Sequence, residues 1–332
     1  MKPMRIALLG LGSVGRGVVK VLTTREYGFV ITAAADSRSG AVSPDGSALD
    51  MQAVFKKKNT TGLCGDPAWT ADRIVREADY DILVEVTQTN AATGEPALSH
   101  ILAALSRGKH VVTSNKGPVS LAYHQITALA EEHHAGFGFE GTVAGAVPIL
   151  NGLRHGLAGN RVKALFGVLN GTCNYILTRM EEEGLTYIQA LAEARDLGYA
   201  EADPTYDVNG TDAAIKLVIL ANTMLGMKVS LKDVVMIGID GLTADALRMA
   251  DTTGHTIRLI ASIHPEKNQL EVSPRLIPKE HQLVVDGTLN AVTVDTEFAG
   301  PITFIGPGAG SVETASSVLS DLLAIREQYG SE

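Results

Sequence analysis

The chain has 332 residues, with a hydrophobic fraction of 45%, a charged fraction of 20% and a net charge of −9. That length points to two domains, and that composition to a globular protein. An acidic balance without a basic stripe argues against nucleic acid and anionic membranes as main partners.

No run of 18 apolar residues is present to span a membrane. The two cysteines, Cys64 and Cys173, offer neither a disulfide framework nor a zinc spacing, which fits a reducing compartment. No HExxH occurs among the histidines, and His133 and His134 read as solvated members of a charged helix. A strand begins within four residues of the amino terminus and leaves no room for a signal peptide, so a cytosolic location is expected.

The first apolar run, 4–9, ends in Gly10-Leu11-Gly12-Ser13-Val14-Gly15, and an apolar helix follows. Strand, glycine turn and helix in that order are the context of a dinucleotide-binding fingerprint. The glycines allow a tight turn and close approach of backbone to pyrophosphate, whose charge meets the helix N-terminus. A second strand, 30–35, ends at Asp36, placed to accept hydrogen bonds from the ribose hydroxyls of NAD. Arg38 and the run Lys56-Lys57-Lys58 are placed to reach a 2′-phosphate, so the NAD and NADP signals conflict. The alternative for the lysine run is a solvated loop.

Further strands are expected at 81–86, 110–113 and 137–139, with helices at 94–107 and from 116 to His133. Strands alternating with helices predict a Rossmann-type, doubly wound parallel sheet. Its ligands lie beyond the carboxyl ends of the strands, where Thr87, Asn90, Asn115 and Lys116 fall; Lys116 also reads as a solvated loop lysine. The glycine-rich turn from Glu140 to Pro148 is foremost a sharp bend. It also presents carbonyls beside a carboxylate, an oxygen set suited to a hard cation.

The second part reads as α+β. A helix to about His155, a strand at 162–169, a helix opening at Asn170-Gly171-Thr172-Cys173-Asn174 and another at 187–197 lead to an acidic segment. There, Glu201, Asp203, Asp207 and Asp212 fall among Pro204 and Asn209-Gly210, which is loop chemistry. A helix from Thr211 follows, in which Lys216 is the only charged side chain between Asp212 and Lys228. Lys216 sits one turn after Asp212, on the same face. One reading is a surface ion pair worth about 0.3–0.5 kcal/mol. The other is a partly desolvated lysine able to exchange a proton, because an apolar surrounding disfavours its charged form while Asp212 restores it. Beyond Val235 the pattern is of strands, at 256–263, 270–277, 291–296 and 302–305; Gly306-Pro307-Gly308-Ala309-Gly310 closes them before a helix at 311–328.

Taken together, these residues resemble homoserine dehydrogenase over almost the whole chain. The matching pieces are the glycine fingerprint, Glu85-Val86-Thr87-Gln88-Thr89-Asn90, Thr113-Ser114-Asn115-Lys116-Gly117-Pro118 and Asn170-Gly171-Thr172-Cys173-Asn174-Tyr175-Ile176-Leu177. Gly198-Tyr199-Ala200-Glu201-Ala202-Asp203-Pro204, the stretch from Asn209 to Lys216 and the turn around Gly308 also match. The fingerprint is generic; the acidic segment through Lys216 is specific.

The resemblance implies reversible, NAD- or NADP-linked interconversion of L-homoserine and L-aspartate 4-semialdehyde. It implies Lys216 as proton donor and acceptor, with Lys116 and Asp212 beside the reaction. Glu201, Asp207, Asp212, Gly171, Thr172 and Tyr199 form the implied substrate set. Gly10, Gly12, Ser13, Val14, Gly15, Asp36, Arg38, Thr87, Asn90, Ser114, Lys116, Gly198 and Gly308 form the implied cofactor set. A monovalent cation, Na⁺ or K⁺, is implied at Glu140, Val143, Gly145 and Val147, and a homodimer through the second domain. The expected division is a dinucleotide-binding domain at 1–140, with 306–332 returning to it, and a substrate-binding and dimerisation domain at 141–305. Gln88 departs from the proline expected in its turn, which bears on loop rigidity. The chain also stops soon after its last helix, so threonine control through a further carboxyl-terminal domain is not expected.

Three rivals remain at this level. A cysteine-dependent semialdehyde dehydrogenase would use Cys173 as nucleophile, although no histidine stands close to it in sequence. Rossmann sugar or imine reductases share the lysine-proline turn but leave the acidic segment unexplained. A nucleotide-sensing protein would use the fold without turnover.

Overall fold

A computed structural model describes residues 2–330; Met1, Ser331 and Glu332, which the expected first domain includes, lie outside the described residues. The chain forms two compact units, Met1–Gly145 with Gly310–Glu332, and Ala146–Ala309. The return to the first unit thus begins at Gly310, and the turn at 306–309 stays with the second.

The first unit contains β1 (Met4–Leu9), α1 (Ser13–Leu22), β2 (Phe29–Ala35), β3 (Gly40–Val42), α2 (Met51–Thr61) and α3 (Ala71–Glu77). It continues with β4 (Ile82–Glu85), α4 (Ala97–Ser106), β5 (His110–Thr113), α5 (Lys116–Glu132) and β6 (Phe137–Gly138). The strand order is β3-β2-β1-β4-β5-β6. Every pair is parallel except β2 with β3, a short antiparallel edge that the alternating pattern did not predict. Successive side chains of β1 go to opposite faces: Ile6 and Leu8 pack into one apolar cluster, Ala7 and Leu9 into another. Because both faces are covered, these strands read as largely apolar runs, with single polar residues such as Arg5 in β1 and Glu85 in β4. Each fully buried Ile or Leu contributes about 1.5–3 kcal/mol.

The second unit opens with α6 (Ile149–Asn151), which runs on into a π-helical turn at Gly152–Gly156. It holds β7 (Val162–Val168), α7 (Gly171–Glu183), α8 (Tyr187–Asp196), α9 (Thr205–Val208), α10 (Thr211–Met224), β8 (Val234–Met236) and α11 (Ala244–Thr252). The strands β9 (His255–His264), β10 (Gln269–Pro278), β11 (Leu289–Thr296) and β12 (Pro301–Pro307) complete it. Their sheet is ordered β12-β11-β7-β9-β10-β8 and is antiparallel except between β10 and β8. Finally α12 (Ser311–Tyr329) belongs to the first unit, where Ala315, Val318, Leu322 and Ile325 join the cluster that holds Ile6 and Leu8.

Several expectations need correction. The lysine run is not a loop: Lys56, Lys57 and Lys58 are on α2, whose N-cap Asp50 accepts from the Ala53 amide. The helix before His133 ends at Glu132; His133 is its C-cap and His134 has a left-handed φ of 51°. The stretch after Val235 holds a helix, α11, before the strands begin. A turn of helix, α9, interrupts the acidic segment.

Candidate active site

In the first unit, β1 delivers Gly10-Leu11-Gly12 to the N-terminus of α1. Gly10 has φ 100°, and a Cβ on it would overlap the Val86 backbone at the end of β4. A Cβ on Gly15 would overlap the carbonyl of Gly10, whereas one on Gly12 would meet no atom. The turn is therefore closed towards the protein and open at Gly12, next to the exposed Ser13 and half-buried Val14. That is a cradle for a phosphate at a helix N-terminus.

Asp36 follows β2 and is buried. Its Oδ1 accepts from the Arg38 amide at 2.9 Å and the Ser39 amide at 3.0 Å, and its Oδ2 from Lys58 Nζ at 2.7 Å. Burial pushes the Asp36 carboxyl up, but Lys58 and the two amides outweigh it and hold the group below its ordinary value. Two of the three lysines are thus bonded, since Lys57 Nζ also donates to the Gly65 carbonyl at 2.9 Å. The Arg38 side chain is exposed.

At the carboxyl ends of β4 and β5, Glu85 is fully buried and accepts from the amide and hydroxyl of Thr87. Thr113 Oγ1 donates to the Glu85 carbonyl at 2.8 Å, and Asn115 Nδ2 to the Thr87 carbonyl at 3.3 Å. Asn90 Oδ1 accepts from the amides of Ala92 and Thr93. These bonds tie the Thr87–Asn90 turn to the turn of Ser114 and Lys116, in which Asn115 caps α5 and Lys116 is its first residue, half-buried.

In the second unit the specific signal is assembled in one place. Gly210, at φ 87°, is the N-cap of α10 and puts Asp212 in the first turn. A carboxylate is favoured there by the helix dipole. One turn on, Lys216 is 8% exposed, and its Nζ lies 2.7 Å from Asp212 Oδ2 and 2.6 Å from the Leu169 carbonyl. A buried pair of this kind depends on both partners, unlike the surface pair that spacing alone allows.

Asn170, the N-cap of α7, donates through Nδ2 to Asp207 Oδ1 at 2.7 Å and Asp212 Oδ2 at 2.9 Å, while its Oδ1 accepts from the Cys173 amide. It joins the two carboxylates, a role that spacing in the sequence cannot reveal because α7 and α10 are far apart along the chain. Thr172 Oγ1 donates to the Tyr199 carbonyl at 2.7 Å, and the Tyr199 ring lies 4.9 Å from that of Tyr175. Gly171 begins α7 at the same end. Glu201 is exposed and makes no hydrogen bond to this network among the described residues. Gly198, at φ 76°, and Gly308 both lie in the second unit.

Cys173 is fully buried, and its Sγ donates to the Asp207 carbonyl at 3.1 Å. Burial pushes its thiol well up, and the Asp207 and Asp212 carboxylates push the same way against Lys216. The nucleophile required by the cysteine-dependent rival is a thiolate, which this surrounding disfavours.

The segment expected to hold a cation is strongly bent. Ala144 and Gly145 have successive left-handed φ of 54° and 53°. The Glu140 amide donates to Asp321 Oδ2 at 2.8 Å, the Gly145 carbonyl accepts from Ser317 Oγ at 2.7 Å, and the Val147 carbonyl accepts from the Ile149 amide at 2.8 Å. Each of those carbonyls keeps a second lone pair. No cluster of three or more His, Cys, Asp or Glu suited to a metal occurs among the described residues.

Comparison with known proteins matches both units. The family model for homoserine dehydrogenase covers residues 148–323, and that for the homoserine dehydrogenase NAD-binding domain covers residues 10–140. The homoserine dehydrogenase of Methanocaldococcus jannaschii is 43% identical over 97% of this chain and 98% of its own length. A solved homoserine dehydrogenase from Thiobacillus denitrificans superposes with a TM-score of 0.86 at 35% identity, over 100% of this chain and 75% of that one. A hyperthermophilic archaeal homoserine dehydrogenase in complex with NADPH does so with a TM-score of 0.84 at 29% identity, over 99% of both.

Proposed function

The chain belongs to the homoserine dehydrogenase family of NAD(P)-dependent oxidoreductases, which interconvert L-homoserine and L-aspartate 4-semialdehyde, and from that premise we propose that Lys216 is the group that moves the proton. The observation that carries this reading is the buried pair of Lys216 and Asp212 on an otherwise apolar helix. Bound NAD or NADP supplies or accepts the hydride. When the aldehyde is reduced, the ammonium of Lys216 gives a proton from Nζ to the developing alkoxide; when homoserine is oxidised, the neutral amine takes the hydroxyl proton. Asp212 and the Leu169 carbonyl hold Nζ in place. Asp207, Asp212 and Glu201 attract the substrate ammonium, with Gly171, Thr172 and Tyr199 beside it. Cysteine nucleophilicity has no part in this chemistry.

On the cofactor side, the cradle at Gly10, Gly12, Ser13, Val14 and Gly15 fits pyrophosphate, and Asp36 fits a ribose diol. Arg38 and Lys58 add positive charge where a 2′-phosphate would extend. Thr87, Asn90, Ser114 and Lys116 border the nicotinamide end of that unit, and Gly198 and Gly308 are further proposed contacts of the cofactor. The roles follow the domains: dinucleotide binding in the first, substrate binding and dimerisation in the second. The proposed setting is the cytosol, and the proposed assembly a homodimer. A monovalent cation, Na⁺ or K⁺, is proposed at Glu140, Val143, Gly145 and Val147, where carbonyl oxygens and one carboxylate make a hard donor set.

The test is a steady-state assay with homoserine and with aspartate semialdehyde, each against both cofactors, on wild type and Lys216→Ala. The variant is expected to lose about 10²–10⁴-fold in kcat, the usual contribution of general acid–base catalysis, with cofactor KM little changed. In wild type, homoserine oxidation should rise with pH through an alkaline ionisation while reduction falls across the same range. A variant folded by circular dichroism that keeps wild-type kcat and both pH trends removes Lys216 from this role and makes Lys116 the next candidate.

A further inference from the structure

The Leu169 carbonyl that holds Lys216 has a second donor. Asn290 Nδ2 donates to the same oxygen at 3.0 Å, which also accepts the 2.6 Å bond from Lys216 Nζ. Leu169 lies just past the last residue of β7, so its carbonyl stands beyond the sheet ladder and depends on side chains for its partners. Asn290 is 0% exposed and sits on β11 opposite Gly306 of β12. Its carboxamide oxygen has no hydrogen-bond partner among the described residues, so its side chain makes one hydrogen bond, the one to Leu169. Burying a carboxamide that is only half satisfied is unfavourable, and an apolar side chain of similar volume would avoid that loss. The carboxamide is also clamped: a Cβ on Gly308 would overlap its oxygen and carbon, so Gly308 lies against it with no room to spare.

We propose that Asn290 is a positioning residue for Lys216. The inference rests on the proton-transfer reading of Lys216 given above. The ammonium is tetrahedral; Asp212 and Leu169 set two of its directions, and setting two sets the remaining one. The aim of the proton therefore follows from how firmly the Leu169 carbonyl is held. During turnover the Nζ–H bond breaks, the new O–H bond forms, and the electron pair stays on nitrogen. The bond from Nζ to Leu169 then changes from charge-assisted to neutral and weakens. Asn290 does not titrate, so it keeps the carbonyl in place in both protonation states. Asp212 on α10 pairs with Lys216, and Cys173 on α7 feels Lys216, Asp212 and Asp207 of α9; among the described residues the Asn290 side chain hydrogen-bonds none of these groups.

The experiment replaces Asn290 by Leu, which keeps the volume and removes the donor, and by Ala, which removes the carboxamide without adding a charge; Lys216→Ala is measured in parallel. In the Leu and Ala variants of Asn290, kcat/KM for homoserine and for aspartate semialdehyde should fall together by about 10- to 100-fold, the scale of a small misplacement at a reacting group. Cofactor affinity, read by fluorescence titration, should stay within about twofold. With Lys216 as the sole donor to Leu169, its ammonium is favoured, so the alkaline rise of homoserine oxidation should move to higher pH. A purely structural role lowers the melting temperature and the folded fraction without moving that profile. A folded variant with an unmoved profile therefore overturns the inference, and so does activity that only tracks the folded fraction. If the Leu variant does not fold, Asn290→Ala gives the same readings. Should Lys216→Ala itself keep the alkaline rise, the reading of Lys216 fails; should it lose the rise while the Asn290 variants do not shift it, only the role of Asn290 fails.

Discussion

Asp36 shows how a residue can be legible in type and illegible in state. Its place after the second strand announces a ribose acceptor, but its carboxylate is already shared with Lys58, a residue on a helix that the sequence suggested was a loop. The lysine run gave no apolar period to follow, and only the capping Asp50 and the glycine at the C-cap, Gly62, mark that helix. The consequence is a mixed site. On the proposed reading, Asp36 disfavours a 2′-phosphate, while Lys58 offsets its charge and the Arg38 side chain is exposed. Arg38→Ala should weaken NADP binding much more than NAD binding, by calorimetry or KM; equal losses for both would refute the assignment. Because the Asp36 carboxyl is held below its unfolded value, its contribution to stability is present above the ordinary carboxylate range and is lost as pH falls through that lowered value. The opposite case is Asn170, which joins Asp207 to Asp212 from another helix. Such a contact depends on tertiary structure, and no local pattern encodes it.

Elements buried on both faces were the most legible, because a parallel strand covered by helices is mostly apolar: β1 and β5 begin and end at the residues expected of them, Met4–Leu9 and His110–Thr113. Half-exposed pieces were the least legible, among them β3, α9 and α11, which are three, four and nine residues long. Their short or mixed faces carry little periodic signal. The turn into α1 allows a test at this scale. A methyl on Gly15 must displace the Gly10 carbonyl, and overpacking of that kind costs about 1–3 kcal/mol. Gly15→Ala should lower the melting temperature, whereas Gly12→Ala, whose methyl meets no atom, should leave it unchanged and raise the cofactor KM. If Gly15→Ala melts like wild type, the turn is not the close-packed cradle described. The loop from Glu140 to Val147 offers the second test. Its left-handed pair, Ala144 and Gly145, is strained for the alanine, and a bound ion would offset that strain. K⁺ or Na⁺ should raise the melting temperature and activity at fixed ionic strength. Full substitution by choline would remove the cation from the proposal.

For the whole molecule, the remaining expectation is that two copies of the chain associate through the second unit. The observation that supports it is the apolar surface left on that unit. Val235 is 59% exposed and Ile237 56%, at the end of the edge strand β8, and Leu276 of the neighbouring β10 is 58% exposed. An edge strand with exposed branched apolar residues is normally blunted by charge or proline, and the opposite edge, β12, does begin and end in proline, at Pro301 and Pro307. The β8 edge has neither device between Val234 and Ile237. A surface of this kind is best accounted for by a partner that covers it, and a stable homodimer buries on the order of 800 Å² or more per copy. One buried charge without a partner is costly at such an interface. Ile237→Asp or Leu276→Asp should therefore halve the mass measured by light scattering at micromolar concentration, while each variant keeps its circular dichroism. The wild-type chain should run at twice its 35.0 kDa. If both variants keep the wild-type mass, copies do not meet through this edge. A wild-type mass of one chain ends the dimer proposal altogether.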